Sequence, residues 1–280
     1  MDSPNVILCP TDFSECSLNA IEYAARIGER YGSTLILIHV ANREDYFKLN
    51  PLSNEADYQL AFLKEKLSNL QQTVRNESIP KGLKECHVLI CEGDIVKELI
   101  KASEETKAQL LVMGTEGMNE LRKNIIGSRT SRIVEKSKVD VLVVPRKVFY
   151  KQPRKLVFGT DYREEDKVAI QKIVEFAKFF DAEIDIVHAS EGKNKLEKPL
   201  HQVMIEELKP FIKYDRVNFV LKTFRDDLAL GLENYLQSAK GDMLITLSRQ
   251  RDFFNKIFTK SVSKKMSYFI TKPLWVIKNF

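Results

Sequence analysis

The chain predicts an α/β protein built as two tandem, doubly wound, five-stranded parallel-sheet domains. Three observations carry this. Short apolar runs alternate with stretches of helical spacing through the first half, the pattern of a parallel sheet covered by helices. The same pattern then starts again, with Lys155-Leu-Val-Phe-Gly-Thr-Asp161 repeating Val6-Ile-Leu-Cys-Pro-Thr-Asp12. Finally, one strand runs directly into a glycine-bearing loop and a helix: Leu110-Leu-Val-Met-Gly114-Thr-Glu-Gly117, continuing to Gly127-Ser128.

Taken in order, Asn5–Cys9 is a short apolar strand. Pro10-Thr-Asp-Phe-Ser14 follows as a turn, with Ser14 as candidate helix N-cap. Ala20, Ile21, Ala24, Ala25 and Ile27 recur at helical spacing until Gly32, which is placed to end the helix. Thr34–Val40 is rich in β-branched and aliphatic residues and reads as a strand buried on both faces. Residues 41–55 are polar and read as a loop. Leu60, Leu63, Leu67 and Leu70 mark a long amphipathic helix that ends before Pro80; core packing is the preferred use of that stripe, a partner helix the other. His87–Cys91 is the third strand, and Gly93-Asp94 opens a helix carrying Ile95, Val96, Leu99 and Ile100. Leu110–Met113 is the fourth strand, the pattern after Ser128 a helix, and Val141–Val144 the fifth strand.

The second copy keeps register with the first. Thr11-Asp12 matches Thr160-Asp161 and His39 matches His188, at an offset of 149 residues. Later the offset is 133, with Asp94-Ile95 matching Asp227-Leu228 and Asp140–Val144 matching Pro273–Ile277. The second copy is therefore 16 residues shorter, and the loss falls between its second strand and third helix. The expected domains are 1–146 and 154–280, joined by the short charged segment Arg146–Arg154. Two copies are too few for a solenoid.

Composition bounds the function. In 280 residues, 44% hydrophobic and 30% charged, 44 Lys and Arg are interspersed with 39 Asp and Glu. That is a solvated surface, without the clustered basic face that nucleic acid requires. No apolar run approaches the roughly 20 residues that span a bilayer, and the N-terminus lacks a secretory pattern, so neither nucleic acid nor membrane is an expected partner. The expected compartment is the cytoplasm. Cys9, Cys16, Cys86 and Cys91 have no CxxC pairing and read as buried or semi-buried free thiols.

The glycine loop carries the chemistry. Glycine lets a backbone approach a ligand closely, and the unpaired N–H groups of a helix N-terminus favour an anion. Gly127-Ser128 would offer two such groups and a hydroxyl. The spacing is Gly114-x2-Gly117-x9-Gly127-Ser128, which is neither a dinucleotide fingerprint nor a Walker loop. It resembles the ATP-binding signature of the universal stress protein family, and Pro10-Thr11-Asp12 and His39-Val40 fit the same resemblance.

The resemblance implies a Rossmann-like sheet of order 3-2-1-4-5, with ATP over the carboxyl ends of strands one and four, where ligands of open α/β sheets bind. It implies that the Val40 backbone meets adenine and that Pro10, Thr11, Asp12, Met113 and Gly114 lie about the nucleoside. Gly117, Gly127, Ser128 and Arg129 would hold the phosphates, with magnesium or manganese as candidate accompanying cation. It also implies pairing through the fifth strand, here between the two halves of one chain, with a homodimer as the further candidate. The expected function is a nucleotide-dependent stress-response sensor or adaptor with an unknown protein partner. The alternative is a nucleotide-free interaction module.

Other readings weigh against turnover. Asp12 is either a ligand contact or a carboxylate capping the next helix. Asp161 persists without the glycine loop, which supports the structural role. His39 and His188 persist likewise and read as packed, hydrogen-bonded side chains. Arg122, Lys123 and Arg132 read as exposed charges. No Ser/His/Asp constellation, Walker lysine or adenylyl-transferring SGGxDS-like loop is present, so at most slow ATP hydrolysis is expected. At the 133 offset Gly114, Gly117 and Gly127 become Leu247, Gln250 and Lys260, and only Ser128 keeps its counterpart, Ser261. Nucleotide is therefore expected in the first half alone.

Overall fold

The computed structural model describes residues 4–41, 56–115, 128–190, 196–224, 228–248 and 271–279. It falls into two compact units, Asp2–Tyr150 and Lys151–Phe280.

The first unit runs β1 (Val6–Pro10), α1 (Glu15–Tyr31), β2 (Thr34–Ala41), α2 (Ala56–Ser78), a 3-10 turn (Ile79–Lys81), β3 (Glu85–Glu92), α3 (Ile95–Glu105), β4 (Leu110–Gly114), α4 (Ser128–Lys136) and β5 (Asp140–Val144). Its strands lie in the order β3-β2-β1-β4-β5, every neighbouring pair parallel. Central β1 is apolar on both faces because helices cover both: Ile7, Leu8 and Cys9 have no solvent exposure. The loop expected at 41–55 lies outside the described residues, apart from Ala41, which closes β2.

Local chemistry sets the ends of α1. Ser14 stands in extended backbone and its hydroxyl accepts the Ser17 N–H at 3.2 Å, as an N-cap should. Gly32 closes the helix in the left-handed region at φ 65°, its N–H donating to Gly28 O. Asp94 caps α3 in the same way, accepting the Lys97 N–H at 3.0 Å. On α2, Leu67 is fully buried with Val74 beside it, whereas Phe62 stands half in solvent. The leucine stripe thus packs into the core through its central residue.

The second unit runs β6 (Lys155–Thr160), α5 (Asp166–Phe180), β7 (Glu183–Ser190), α6 (Glu197–Leu208), a 3-10 turn (Lys209–Phe211), β8 (Val217–Thr223), α7 (Leu228–Ser238), β9 (Met243–Ser248) and β10 (Leu274–Lys278). Its strand order is β8-β7-β6-β9-β10, again parallel throughout. Where the first unit ends a helix on Gly32, the second uses Asp181 at φ 52°, held by an ion pair from its Oδ1 to Arg216 Nη1 at 2.6 Å. Asp185 is buried on β7 at the register of apolar Ile36. It accepts hydrogen bonds from Asn218 and Tyr235, each at 2.9 Å, and from Lys155 at 3.4 Å. A buried carboxylate needs such a full set of donors. Among the described residues no helix is long and apolar enough to cross a membrane.

Candidate functional site

The site expected from sequence lies at the carboxyl edge of the first sheet, where β1 and β4 are neighbours. From β1 the connection leaves toward β2, and β4 leads toward β5 on the other side, so their ends open a crevice between diverging segments. Pro10 is the last residue of β1 and Gly114 the last of β4.

Beyond Pro10 the chain makes a tightly held turn. The Thr11 N–H donates to Ile38 O at 2.8 Å. Its hydroxyl, buried, accepts the Phe13 N–H at 3.0 Å and meets Ser17 Oγ at 3.1 Å. The Asp12 carboxylate accepts the Ser14 N–H at 3.0 Å, an Asx turn that sets Ser14 up as the cap. Phe13 carries a positive φ of 62°, which these bonds stabilise. The sequence alternatives for Asp12 were ligand contact or helix cap. Here it stands two residues before the cap, shaping the turn, and it remains half-buried at the crevice.

His39 braces that turn from β2. Its Nδ1 lies 2.7 Å from Thr11 O, so this nitrogen carries the ring proton and donates it. The ring packs on Phe13 with centroids 5.2 Å apart. This is the packed, hydrogen-bonded histidine expected from its persistence in both halves. Because Ile38 O faces β1, the alternate residue Val40 turns its amide groups to the same side, past the end of β1.

On β4, Met113 is buried beneath the crevice. Gly114 has a packing reason as well as an expected ligand one: a Cβ there would fall 2.5 Å from Cys16 Sγ and 3.1 Å from Cys16 O. Thr115 is fully buried and its N–H donates to Val144 O at 3.1 Å. Ser128 and Arg129 are the first residues of α4, both exposed. The hydroxyl of Thr130 ties that helix start to β4, shared between Gly114 O at 3.2 Å and Thr115 O at 3.4 Å. Gly117 and Gly127 lie outside the described residues. So do Arg122 and Lys123, and in the second half Gln250, Lys260 and Ser261. Pro10, Thr11, Asp12, Val40, Met113, Gly114, Ser128 and Arg129 all reach one edge of one sheet.

Phe13, Thr115 and Thr130 were missed by sequence reasoning. A signal existed for the first, since aromatic Tyr162 stands at the same offset of 149 residues from Phe13. The second unit repeats the whole brace. Tyr162 has φ 58° and its N–H donates to Thr160 Oγ1 at 2.9 Å; His188 Nδ1 lies 3.1 Å from Thr160 O. The Thr160 hydroxyl in turn donates to buried Asp166 at 2.5 Å. Asp161 pairs with Arg163 Nε at 3.0 Å. The threonine and histidine are thus parts of the fold in both halves, whatever either crevice binds. Among the described residues no group of three or more His, Cys, Asp or Glu side chains is placed to hold a metal ion.

The model of the universal stress protein family matches residues 5–145 and again 153–278. The chain belongs to this family. One universal stress protein of Methanocaldococcus jannaschii is 30% identical over 140 residues, spanning 50% of this chain and 81% of that protein. A second from the same organism is 28% identical over 154 residues, spanning 50% of this chain and 94% of its own length. The solved structure of a universal stress protein from Archaeoglobus fulgidus covers 98% of this chain and 96% of its own, with a TM-score of 0.72 at 22% identity. The fold therefore extends over both halves.

Proposed function

We propose that the first unit binds one ATP and that the protein works as a nucleotide-dependent stress-response sensor or adaptor in the cytoplasm. The observation that carries the reading is the meeting of β1, β2, β4 and α4 at one sheet edge. Their contributions are the Asp12 turn, the outward Val40 amides, Gly114, and the Ser128–Arg129 helix start tied down through Thr130. The Val40 backbone would meet the base, Asp12 the ribose, and the N–H groups of Ser128 and Arg129 the phosphates. Gly117 and Gly127 complete that set by sequence. A magnesium or manganese ion accompanying ATP would rest mainly on the phosphates, because the described residues bring no carboxylate cluster to this edge.

Hydrolysis is slow in this reading. Phosphoryl transfer needs a positioned water and strong neutralisation of charge. Asp12, the carboxylate that follows β1 at this edge, is already engaged with the Ser14 N–H. Steady-state turnover well below the ~10 per second typical of enzymes follows.

Mass spectrometry of small molecules released on denaturing freshly purified protein tests the reading directly. ATP at near one equivalent is expected. If no nucleotide is released and none binds on titration, the alternative takes its place: an interaction module that uses the same fold without a ligand.

A further inference from the structure

Helix α6 keeps one face on its own unit and turns an apolar stripe outward. Leu208 in the last turn is buried, and His201 is tied through Nδ1 to the hydroxyl of Tyr162, in the turn after β6. These two contacts fix how the helix is rolled. Leu196, Leu200 and Val203, at i, i+4 and i+7, then share an outward face and are 61%, 52% and 49% exposed. Pro199 beside them is exposed as well. The counterpart α2 instead buries Leu67 and Val74 and is tied to β3 by Gln71 Nε2, which donates to Cys86 O at 2.7 Å. Contiguous apolar surface marks an interaction site, and an amphipathic helix meets its partner through anchors of this spacing.

The charges on α6 select the partner. Lys198 stands in the first turn, where the helix dipole disfavours a cation. Glu206 and Glu207 stand in the last turn, where it disfavours an anion. All three are exposed, and the last turn holds no basic residue. Lys198, Gln202 and Glu206 recur at i, i+4 and i+8 along one border of the stripe. On that border Gln202 Nε2 donates to Glu206 Oε1 at 3.2 Å. A second helix of the same sequence, laid antiparallel about a two-fold axis at Gln202, complements each of these features. Lys198 and Glu206 are equally far from Gln202 in the chain, so Lys198 of each copy faces Glu206 of the other. Glu206 and Glu207 come to the positive end of the neighbouring dipole, and Lys198 to the negative end. Leu200 and Val203 of the two copies cover one another about the same axis. A parallel pair would set Lys198 on Lys198 and Glu206 on Glu206.

We propose that α6 is a self-association surface for a second copy of this chain, the two helices antiparallel and related by a two-fold axis near Gln202. Such an interface is isologous, with one stripe serving both sides. A helix of 12 residues is roughly 18 Å long, so the interface is small and the dimer is weak and reversible. It uses α6 rather than the fifth strand of either unit. It is independent of whether the first unit binds nucleotide.

Sedimentation velocity of the full chain from about 1 to about 200 µM, where small interfaces assemble, tests the proposal. Wild type should show a concentration-dependent equilibrium between monomer and dimer. Leu200→Ser combined with Val203→Ser removes the central apolar side chains of both copies and should raise Kd at least about a hundredfold, leaving monomer. Lys198→Glu sets like charges together twice and should raise Kd about tenfold. Glu206→Lys should do the same. The two reversals combined recreate the opposite-charge pairs and should return Kd to within about twofold of wild type. The substituted positions are exposed, so these changes leave the core of the unit intact. A wild type that stays monomeric throughout assigns the stripe to another occupant and overturns the proposal. A dimer that survives the Leu200 and Val203 changes rests on another surface, such as the fifth strands, and overturns it too. So does a combined reversal that fails to recover what each single reversal lost.

Discussion

Gly114 and Cys16 touch at a point where no side chain fits between them. The first turn of α1 crosses the end of β4 so closely that a Cβ on Gly114 would sit 2.5 Å from the Cys16 sulfur. In the second unit the equivalent of Gly114 is Leu247, buried at 4% exposure. There α5 starts at Asp166, the repeat equivalent of Ser17, so its first turn begins beyond the position matching Cys16.

Gly114→Ala should therefore destabilise the first unit by about 1–3 kcal/mol, the range for overpacking a tight core. Adding Cys16→Ala should restore part of that loss, not all, because the Cys16 carbonyl oxygen stays 3.1 Å from the new methyl. Urea unfolding of the single and double variants measures both. Full additivity of the two changes would show that the contact is not what makes glycine necessary.

Calorimetric titration of nucleotide-free protein with ATP should give a stoichiometry near one. Gly127→Val should abolish the binding by putting a branched side chain at the phosphate turn, and Ser261→Ala should leave it unchanged. Two equivalent sites, or the reverse pattern in the two variants, would refute the assignment of ATP to the first half.

Tyr235→Phe should cost about 1.5–3 kcal/mol, the range for a hydrogen bond to a buried charge, because Asp185 loses a donor at 2.9 Å. Burial first, and Asp185 second, push Tyr235 up to about 12. A tyrosine raised in the folded state gives stability that is whole below its unfolded value of about 10 and is lost as pH rises through the folded value. Wild type should thus lose more stability than Tyr235→Phe between about pH 10 and 12. Equal slopes for the two proteins would remove Tyr235 from the network's energetics.

Native alkylation with iodoacetamide at pH 8 should modify Cys91 first. Cys91 is partly exposed, whereas Cys9, Cys16 and Cys86 are buried. Burial also pushes the Cys86 thiol up to about 11, so little of the reactive thiolate exists at pH 8. Peptide mapping before and after unfolding should show one fast site and then four. Rapid native labelling of Cys86 would contradict the packing of β3 on its neighbours.

The sequence by itself determined the strands, the helices, their caps at Ser14, Gly32 and Asp94, the duplication and the family. These are carried by spacing along the chain: a period of two or of 3.6 residues, a capping side chain beside its own helix, or an identity at constant offset. Contacts between distant residues leave no such trace. Nothing near Gly114 in the chain announces Cys16, and nothing near Asp185 announces Tyr235, yet the first contact fixes which residue β4 can end on and the second keeps a buried charge tolerable. The same holds for His39, whose role as a brace depends on Thr11 lying at the end of the neighbouring strand. Only the tertiary structure decided these, because strand order and register choose which remote side chains share a few ångströms of space.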